Sequence, residues 1–309
     1  MVIVYELIIA YNTKELLIQR RFIMNYRIFV DLSADIDYEI AKKYNIGFIP
    51  MNYSIGDEEF SVSEAPTKEE FDNFYQEMKS GKITKTSQIT PFQYEEFLVN
   101  YAKNGENILY FTLSSGLSNT YNSALVAREE LLLEYPDFKF EVVDSLAATG
   151  GIGLLAELAI ENEKNGMSIE ENANIMREYV KKIRHWFYVD DLKYLKRGGR
   201  ISATSAFLAG ALNIKPVLRI NEEGKLESIS KKHGIKKAQM EIVERFKNEW
   251  DGKTNIVYIC HSATEDDIKY IVDSIKAINS NIEVRICMLS PIIGCHTGPG
   301  IAALCHIGK

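Results

Sequence analysis

Asn107-Ile-Leu-Tyr-Phe-Thr-Leu-Ser-Ser-Gly-Leu-Ser-Asn-Thr-Tyr-Asn-Ser-Ala124 reads as three elements in a row. Ile108 to Leu113 is an apolar run of strand length. Ser114-Ser115-Gly116 is a hydroxyl-rich turn, and a helix follows. A strand that enters a helix through such a turn is the unit of an α/β fold. Short hydroxyls, a permissive glycine and free N–H groups at a helix start make a small anion site. The turn contains neither an acid nor a base, so it is suited to hold a negative group more than to attack one.

The same alternation extends in both directions. Ile28–Val30, Phe48–Met51 and Phe140–Val143 read as strands. Tyr38–Tyr44, Phe71–Lys79, Pro91–Lys103, Thr120–Glu134 and Gly151–Asn165 read as helices, with Gly166 as a C-terminal stop. This rhythm predicts a parallel or mostly parallel sheet. Ser168 and Glu171 have capping-box spacing for a helix running to Ile183. Beyond it, Trp186–Val189, Val217–Ile220, Leu226–Ser230, Ile256–Cys260 and Glu283–Met288 are strand-like. Leu192–Tyr194, Ala203–Ala211, Lys236–Asn248 and Glu265–Ile278 are helical in pattern, and Asn221-Glu222-Glu223-Gly224 is a hairpin signal. The fold class expected is α/β, as two α/β domains. One covers residues 24–165 and the other residues 166–309, whose last segment packs back on the first.

Residues 1–23 stand apart. Val2 to Tyr11 is apolar apart from Glu6, too short to span a bilayer, and followed rather than preceded by Arg20-Arg21, against the order of a signal peptide. Met24 stands just before the strand-like Tyr26-Arg27-Ile28-Phe29-Val30-Asp31, so residues 1–23 are expected to be an extension from an upstream start codon.

The chain has 309 residues, 46% hydrophobic and 26% charged, with a net charge of −7. That is the balance of a soluble globular protein and argues against a generic nucleic-acid surface or a stable membrane insertion. A cytoplasmic location is expected. Cys260, Cys287, Cys295 and Cys305 all lie late in the chain, and a disulfide framework is not expected without a secretory signal. Three of them precede histidines, but neighbours on a strand face opposite ways, so Cys-His pairs make poor metal ligands. No metal or cofactor is expected.

Four polar segments complete the picture: Lys85-Thr86-Ser87-Gln88, the turn Ser114 to Ser118, Asp190 to Ser202 with its Gly198-Gly199-Arg200, and Gly294-Cys295-His296-Thr297-Gly298-Pro299-Gly300. Each falls at a strand end or helix start, where ligand sites of α/β sheets gather. Singly, each has a plain structural reading as a cap or turn. A serine hydrolase with Ser114 or Ser115 as nucleophile and His296 as base is one rival reading, although the Gly-x-Ser-x-Gly elbow is missing. A nucleotide site is another, although both Gly-x-x-x-x-Gly-Lys-Ser/Thr and Gly-x-Gly-x-x-Gly are missing.

As an ordered set, these motifs resemble the DegV family. The set is Thr86-Ser87-Gln88 after a basic residue, Ser114-Ser-Gly-Leu-Ser-Asn-Thr-Tyr-Asn-Ser-Ala124, Val143-Asp-Ser145, Asp190-Asp-Leu-Lys-Tyr-Leu-Lys-Arg-Gly-Gly-Arg-Ile-Ser202, Asn213-Ile-Lys-Pro216 and His296-Thr-Gly-Pro-Gly300. The resemblance runs from about Met24 to the C-terminus. It implies two α/β domains with a long-chain fatty acid, such as palmitate, in the cleft between them. It also implies a non-catalytic role, as a carrier or as the lipid-binding subunit that presents the carboxylate to a separate ATP-binding fatty acid kinase. Carried onto this sequence, Thr86, Ser114 and Ser115 hold the carboxylate, and Arg200 and His296 line the same mouth. Three positions depart from the family pattern: Leu32 replaces a hydroxyl residue, Ile89 a proline and Asn119 a glycine.

A lipid also fits the physics. At ~0.8 kcal/mol per buried CH₂, about fourteen methylenes give on the order of 10 kcal/mol before the costs of binding. An apolar slot is expected from Leu146-Ala147-Ala148, Ile152, Phe207–Leu212 and Ile292-Ile293, with polar donors needed only at the carboxylate.

Overall fold

The computed structural model describes residues 26–201, 213–262 and 265–309. Residues 1–23, and the helix expected over Ala203–Ala211 with the expected slot residues Phe207–Leu212, lie outside them. The first half of the chain supplies β1 (Arg27–Asp31), β2 (Gly47–Ile49), β3 (Met51–Ile55), β4 (Glu58–Val62), β5 (Thr84–Ser87), β6 (Ile108–Thr112) and β7 (Phe140–Asp144). The second half supplies β8 (Ile183–Tyr188), β9 (Ile214–Ile220), β10 (Leu226–His233), β11 (Ile256–His261), β12 (Glu283–Met288) and β13 (Ala302–Ile307).

These strands form three sheets. One is four-stranded and wholly parallel, in the order β2-β1-β6-β7. A small antiparallel sheet runs β4-β3-β5. The third has six strands in the order β10-β9-β8-β13-β11-β12, and β11 with β12 is its one parallel pair. The expectation of a mostly parallel sheet therefore holds for the first domain, and the second is a mixed sheet. The reason is the connections. The β9–β10 hairpin turns back through Asn221–Gly224, with Gly224 at φ +72°, and β13 enters the sheet between β8 and β11 antiparallel to both. The helix expected to reach Ile183 ends at Val180, because Ile183 opens β8.

The layers alternate. One face of the parallel sheet packs on the helices Pro91–Asn104 and Thr120–Glu134 through Phe29, Tyr110, Tyr94 and Leu98. Its other face packs on Gly150–Lys164 and Ile169–Val180. Strands covered on both faces lose the polar alternation of half-exposed ones, so β6 is buried at every position. The helix Gly150–Lys164 also lies against the six-stranded sheet, whose far face is covered by Ile235–Glu249 and Glu265–Ile278.

A helix wedged between two sheets needs a close approach at its start. A Cβ at Gly151 would stand 2.0 Å from His185 Nε2, and one at Gly150 would stand 2.2 Å from Tyr258 Cβ. The Gly150-Gly151-Ile152-Gly153 sequence is thus a packing requirement. The helix Pro291–Thr297 of the second half contacts β3 and β5 of the first, while β13, the last strand, sits inside the six-stranded sheet.

Candidate functional site

A cavity lies where β6, the start of Gly150–Lys164, β8, β13 and Pro291–Thr297 converge. It encloses about 940 Å³ of empty space, its open mouth included. Its two ends differ. Thr86, Ser87, Gln88, Ser118, Asn119, Arg200 and His296 make a polar mouth. Inside, the walls are Ala148, Phe187, Leu195, Ile292, Ile301 and Ala303, all buried.

Thr86 reaches the mouth from β5. Its Oγ1 lies 2.8 Å from His296 Nε2, so the predicted pair from opposite ends of the chain is in direct contact. His296 sits in the last turn of Pro291–Thr297. Its Nδ1 is buried and has no hydrogen-bond partner among the described residues. Burial, then the charges of Arg200 and Arg197, pull its pKa down from 6.5 to about 4, so the ring is neutral at pH 7. Gly198 explains how the ring fits: a Cβ there would stand 2.3 Å from His296 Nδ1. Gly199 follows at φ +71° and brings Arg200 round to the mouth. Arg200 Nε donates to the Leu117 carbonyl at 3.1 Å, and its Nη1 donates to Gly198 O. The Gly-Gly-Arg segment thereby ties the second domain to the serine turn of the first.

The serine turn is arranged differently from the free-N–H cradle its sequence suggests. Ser114 N donates to Ala147 O at 2.9 Å, and Ser115 N donates to Asp144 Oδ1 at 3.0 Å. Gly116 N donates to Ser114 Oγ, and Leu117 N and Ser118 N both donate to Ser114 O. The backbone donors of residues 114–118 are therefore spent on shaping the turn. Ser114 is fully buried, and its Oγ donates to the Gly224 carbonyl of the β9–β10 hairpin at 2.8 Å. Ser115 is exposed on the same turn. Neither lines the cavity, and the serine of this turn that does is Ser118, whose Oγ lies 2.8 Å from Thr120 Oγ1. A Cβ at Gly116 would stand 2.6 Å from Glu223 O, so the glycine is what lets the two domains meet here.

The turn is also anchored from beneath. Asp31, at the end of β1, accepts from Leu113 N at 2.8 Å and from Tyr110 Oη at 3.1 Å through Oδ2, and from Ser33 N through Oδ1. The helix after the turn, Thr120–Glu134, receives no side-chain cap from Asn119. The first N–H of that helix, on Thr120, donates to Ser118 Oγ at 3.3 Å.

Of the predicted site residues, Thr86, Arg200 and His296 meet at one mouth, and Ser114 and Ser115 build the turn beside it. Of the slot residues, Ala148, Ile292 and Ile293 line the cavity, whereas Leu146, Ala147 and Ile152 do not. His185, Phe187, Ile220, Leu226 and Ala303 also line it, and no motif marks them. Register could have found two: Phe187 pairs with Ala303, and both face the helix Gly150–Lys164. Among the described residues no group of His, Cys, Asp and Glu could hold a metal ion, and no helix is long and apolar enough to cross a membrane.

A cavity with an apolar interior and a polar mouth suits an amphipathic molecule. A family model described as an uncharacterised protein of the DegV family matches residues 25–309, and the chain belongs to that family. A DegV domain-containing protein of Clostridium perfringens is 36% identical over 282 residues, 91% of this chain and 97% of its own length. A fatty acid-binding protein of Thermotoga maritima is 33% identical over 285 residues, 90% of this chain and 96% of its own. The crystal structure of a DegV lipid binding protein from Thermotoga maritima superposes with a TM-score of 0.78 at 29% identity, over 92% of this chain and 98% of that one.

Proposed function

We propose that this protein binds one long-chain fatty acid, with the carboxylate at Thr86 and the acyl chain in the apolar interior. The observation that carries the reading is the polarity of the cavity: hydroxyl, imidazole and guanidinium groups at the mouth, and aliphatic and aromatic walls behind. An ionised carboxylate cannot be buried without donors, and an acyl chain gains from every methylene it hides. Thr86 and Ser118 donate through their hydroxyls, Arg200 supplies the countercharge, and His296 fixes the Thr86 hydroxyl. Ser114 and Ser115 act through the turn, and the direct contact first expected of them passes to Ser118. The 33% identical relative named for fatty-acid binding supports the ligand class.

The protein acts without catalysing a reaction itself in this proposal. It carries the lipid and presents the carboxylate to an ATP-binding kinase subunit that forms the acyl phosphate. A serine hydrolase fits less well, because His296 Nε2 pairs with Thr86 and the Ser114 hydroxyl donates to Gly224 O. The division into domains near Asn165 belongs to the same proposal.

Displacement of a fluorescent fatty acid by palmitate tests the head-group assignment. Thr86→Val removes one hydrogen bond to a charged group, about 2 kcal/mol, so palmitate should bind roughly 30-fold more weakly. Unchanged affinity in Thr86→Val would remove Thr86 from the site.

A further inference from the structure

Three of the four cysteines fall on one face of the six-stranded sheet, on three neighbouring strands. Cys260 on β11 is the register partner of Cys287 on β12. Cys305 on β13 pairs with Tyr258, one pleat along from Cys260 on the same face. All three lie in the core shared with the helix Gly150–Lys164. The start of that helix meets them directly: Gly150 N donates to Cys260 Sγ at 3.2 Å, and Thr149 Oγ1 lies 3.7 Å from Cys305 Sγ. The fourth thiol, Cys295, is elsewhere and donates to Lys85 O. None of the four is bonded to another as the protein stands.

All three are buried, and Cys287 keeps 5% exposure against 0% for Cys260 and Cys305. It lies on the edge strand and lines a separate surface cleft of about 870 Å³, mouth included, with Leu32, Asp35, Phe71 and Met288. Cys260 is fully buried just behind it. Register partners on adjacent strands have Cα atoms about 4.8 Å apart with side chains on the same face. That separation falls within the 4.4–6.8 Å range of disulfides.

We propose that Cys260 and Cys287 are a modification site that closes to a disulfide when the protein meets a hydroperoxide entering through the cleft. The Cys287 sulfur takes one oxygen from the hydroperoxide. The O–O bond breaks, the peroxide leaves as water or an alcohol, and Cys287 becomes a sulfenic acid. The Cys260 sulfur then attacks the Cys287 sulfur, the S–O bond breaks, and water leaves. Two thiols lose two electrons in all, and the peroxide gains them. The bond joins the edge strand β12 to β11 behind Gly150, next to the wall formed by Ala148 and Thr149. It is independent of which lipid fills the cavity.

The test is peptide mapping of the intact protein after treatment with hydrogen peroxide. The expected product is two hydrogens lighter, keeps two of its four thiols, and yields a peptide pair linked through Cys260 and Cys287. Cys287→Ser should abolish the link, whereas Cys305→Ala and Cys295→Ala should retain it. In Cys260→Ala the sulfenic acid has no resolving thiol, so dimedone should label Cys287. A link through Cys305 or Cys295, a bond between two chains, four thiols still free, or no dimedone label on Cys287 in Cys260→Ala would each overturn the proposal.

Discussion

The two ends of the cavity are made in different ways. The mouth is assembled from unlike pieces: Thr86 comes from β5, Ser118 from the turn after β6, Arg200 from the Gly198-Gly199 turn and His296 from the helix Pro291–Thr297, four segments far apart in sequence. The inner wall comes mostly from regular elements, through Phe187 on β8, Ala303 on β13 and Ile292 in the helix Pro291–Thr297, with Ala148 from the loop before Gly150–Lys164. Polar groups need particular distances and directions, so the mouth leaves motifs. Apolar contact is non-directional, so the wall leaves only a pattern of burial. The difference predicts that mouth variants change what the carboxylate feels, and wall variants change how well the layers and the chain fit.

The largest effect is expected from the wall. Gly151→Ala drives a Cβ to within 2.0 Å of His185 Nε2 at the seam of the two sheets. Overpacking there should cost about 3 kcal/mol in urea unfolding. A neutral result would mean that helix and sheet are not in the tight contact on which the wall depends.

Acid should act at the mouth as well as in the layers. His296 has a folded pKa near 4 against 6.5 when exposed. A lowered histidine pKa keeps its full contribution to stability above about 6.5 and loses it as the pH falls toward 4, by about 3 kcal/mol at 1.36 kcal/mol per unit. His185 and His306, lowered to about 3 and about 4, add to the same slope from within the layers. Unfolding at pH 7 and pH 4.5 should show His296→Gln losing about 2 kcal/mol less than the wild type. An equal loss would place the acid sensitivity in the layers alone. A bound carboxylate beside His296 should also raise its pKa, so calorimetry in two buffers near pH 5 should show proton uptake on lipid binding.

Smaller effects separate the turn from the tunnel. Ser114→Ala removes the hydrogen bond to Gly224 O and should cost about 1.5 kcal/mol of stability, with lipid affinity falling less than in Thr86→Val. The reverse order would return Ser114 to the carboxylate. Ile293→Val deletes one methylene from the lining, so palmitate should weaken by about 0.8 kcal/mol, roughly fourfold.

The layered α/β fold was legible from its periodicity, and Thr120–Glu134 and the Ser168–Glu171 capping box stand where the sequence places them. The mixed second sheet was not, because a strand's direction depends on connections such as the entry of β13 between β8 and β11. At the site, the contact of Thr86 with His296 follows from the motif set. The engagement of the Ser114–Ser118 backbone was hidden: Asp144 stands in the Val143-Asp-Ser145 motif, but the sequence does not say that its carboxylate accepts from Ser115 N, or that Ala147 O accepts from Ser114 N. Ser118 was overlooked beside Ser114 for the same reason: three hydroxyls within five residues look alike until the turn assigns one to the interior, one to solvent and one to the cavity.

Native mass spectrometry of the protein as purified from cells tests the central claim most directly. The account predicts one bound acyl chain per protein, of about 16–18 carbons as the family resemblance implies and in keeping with ~0.8 kcal/mol gained per buried CH₂, and strongly reduced occupancy in Thr86→Val with Ser118→Ala. A protein that carries no acyl chain, and takes none up when palmitate is added, would contradict it.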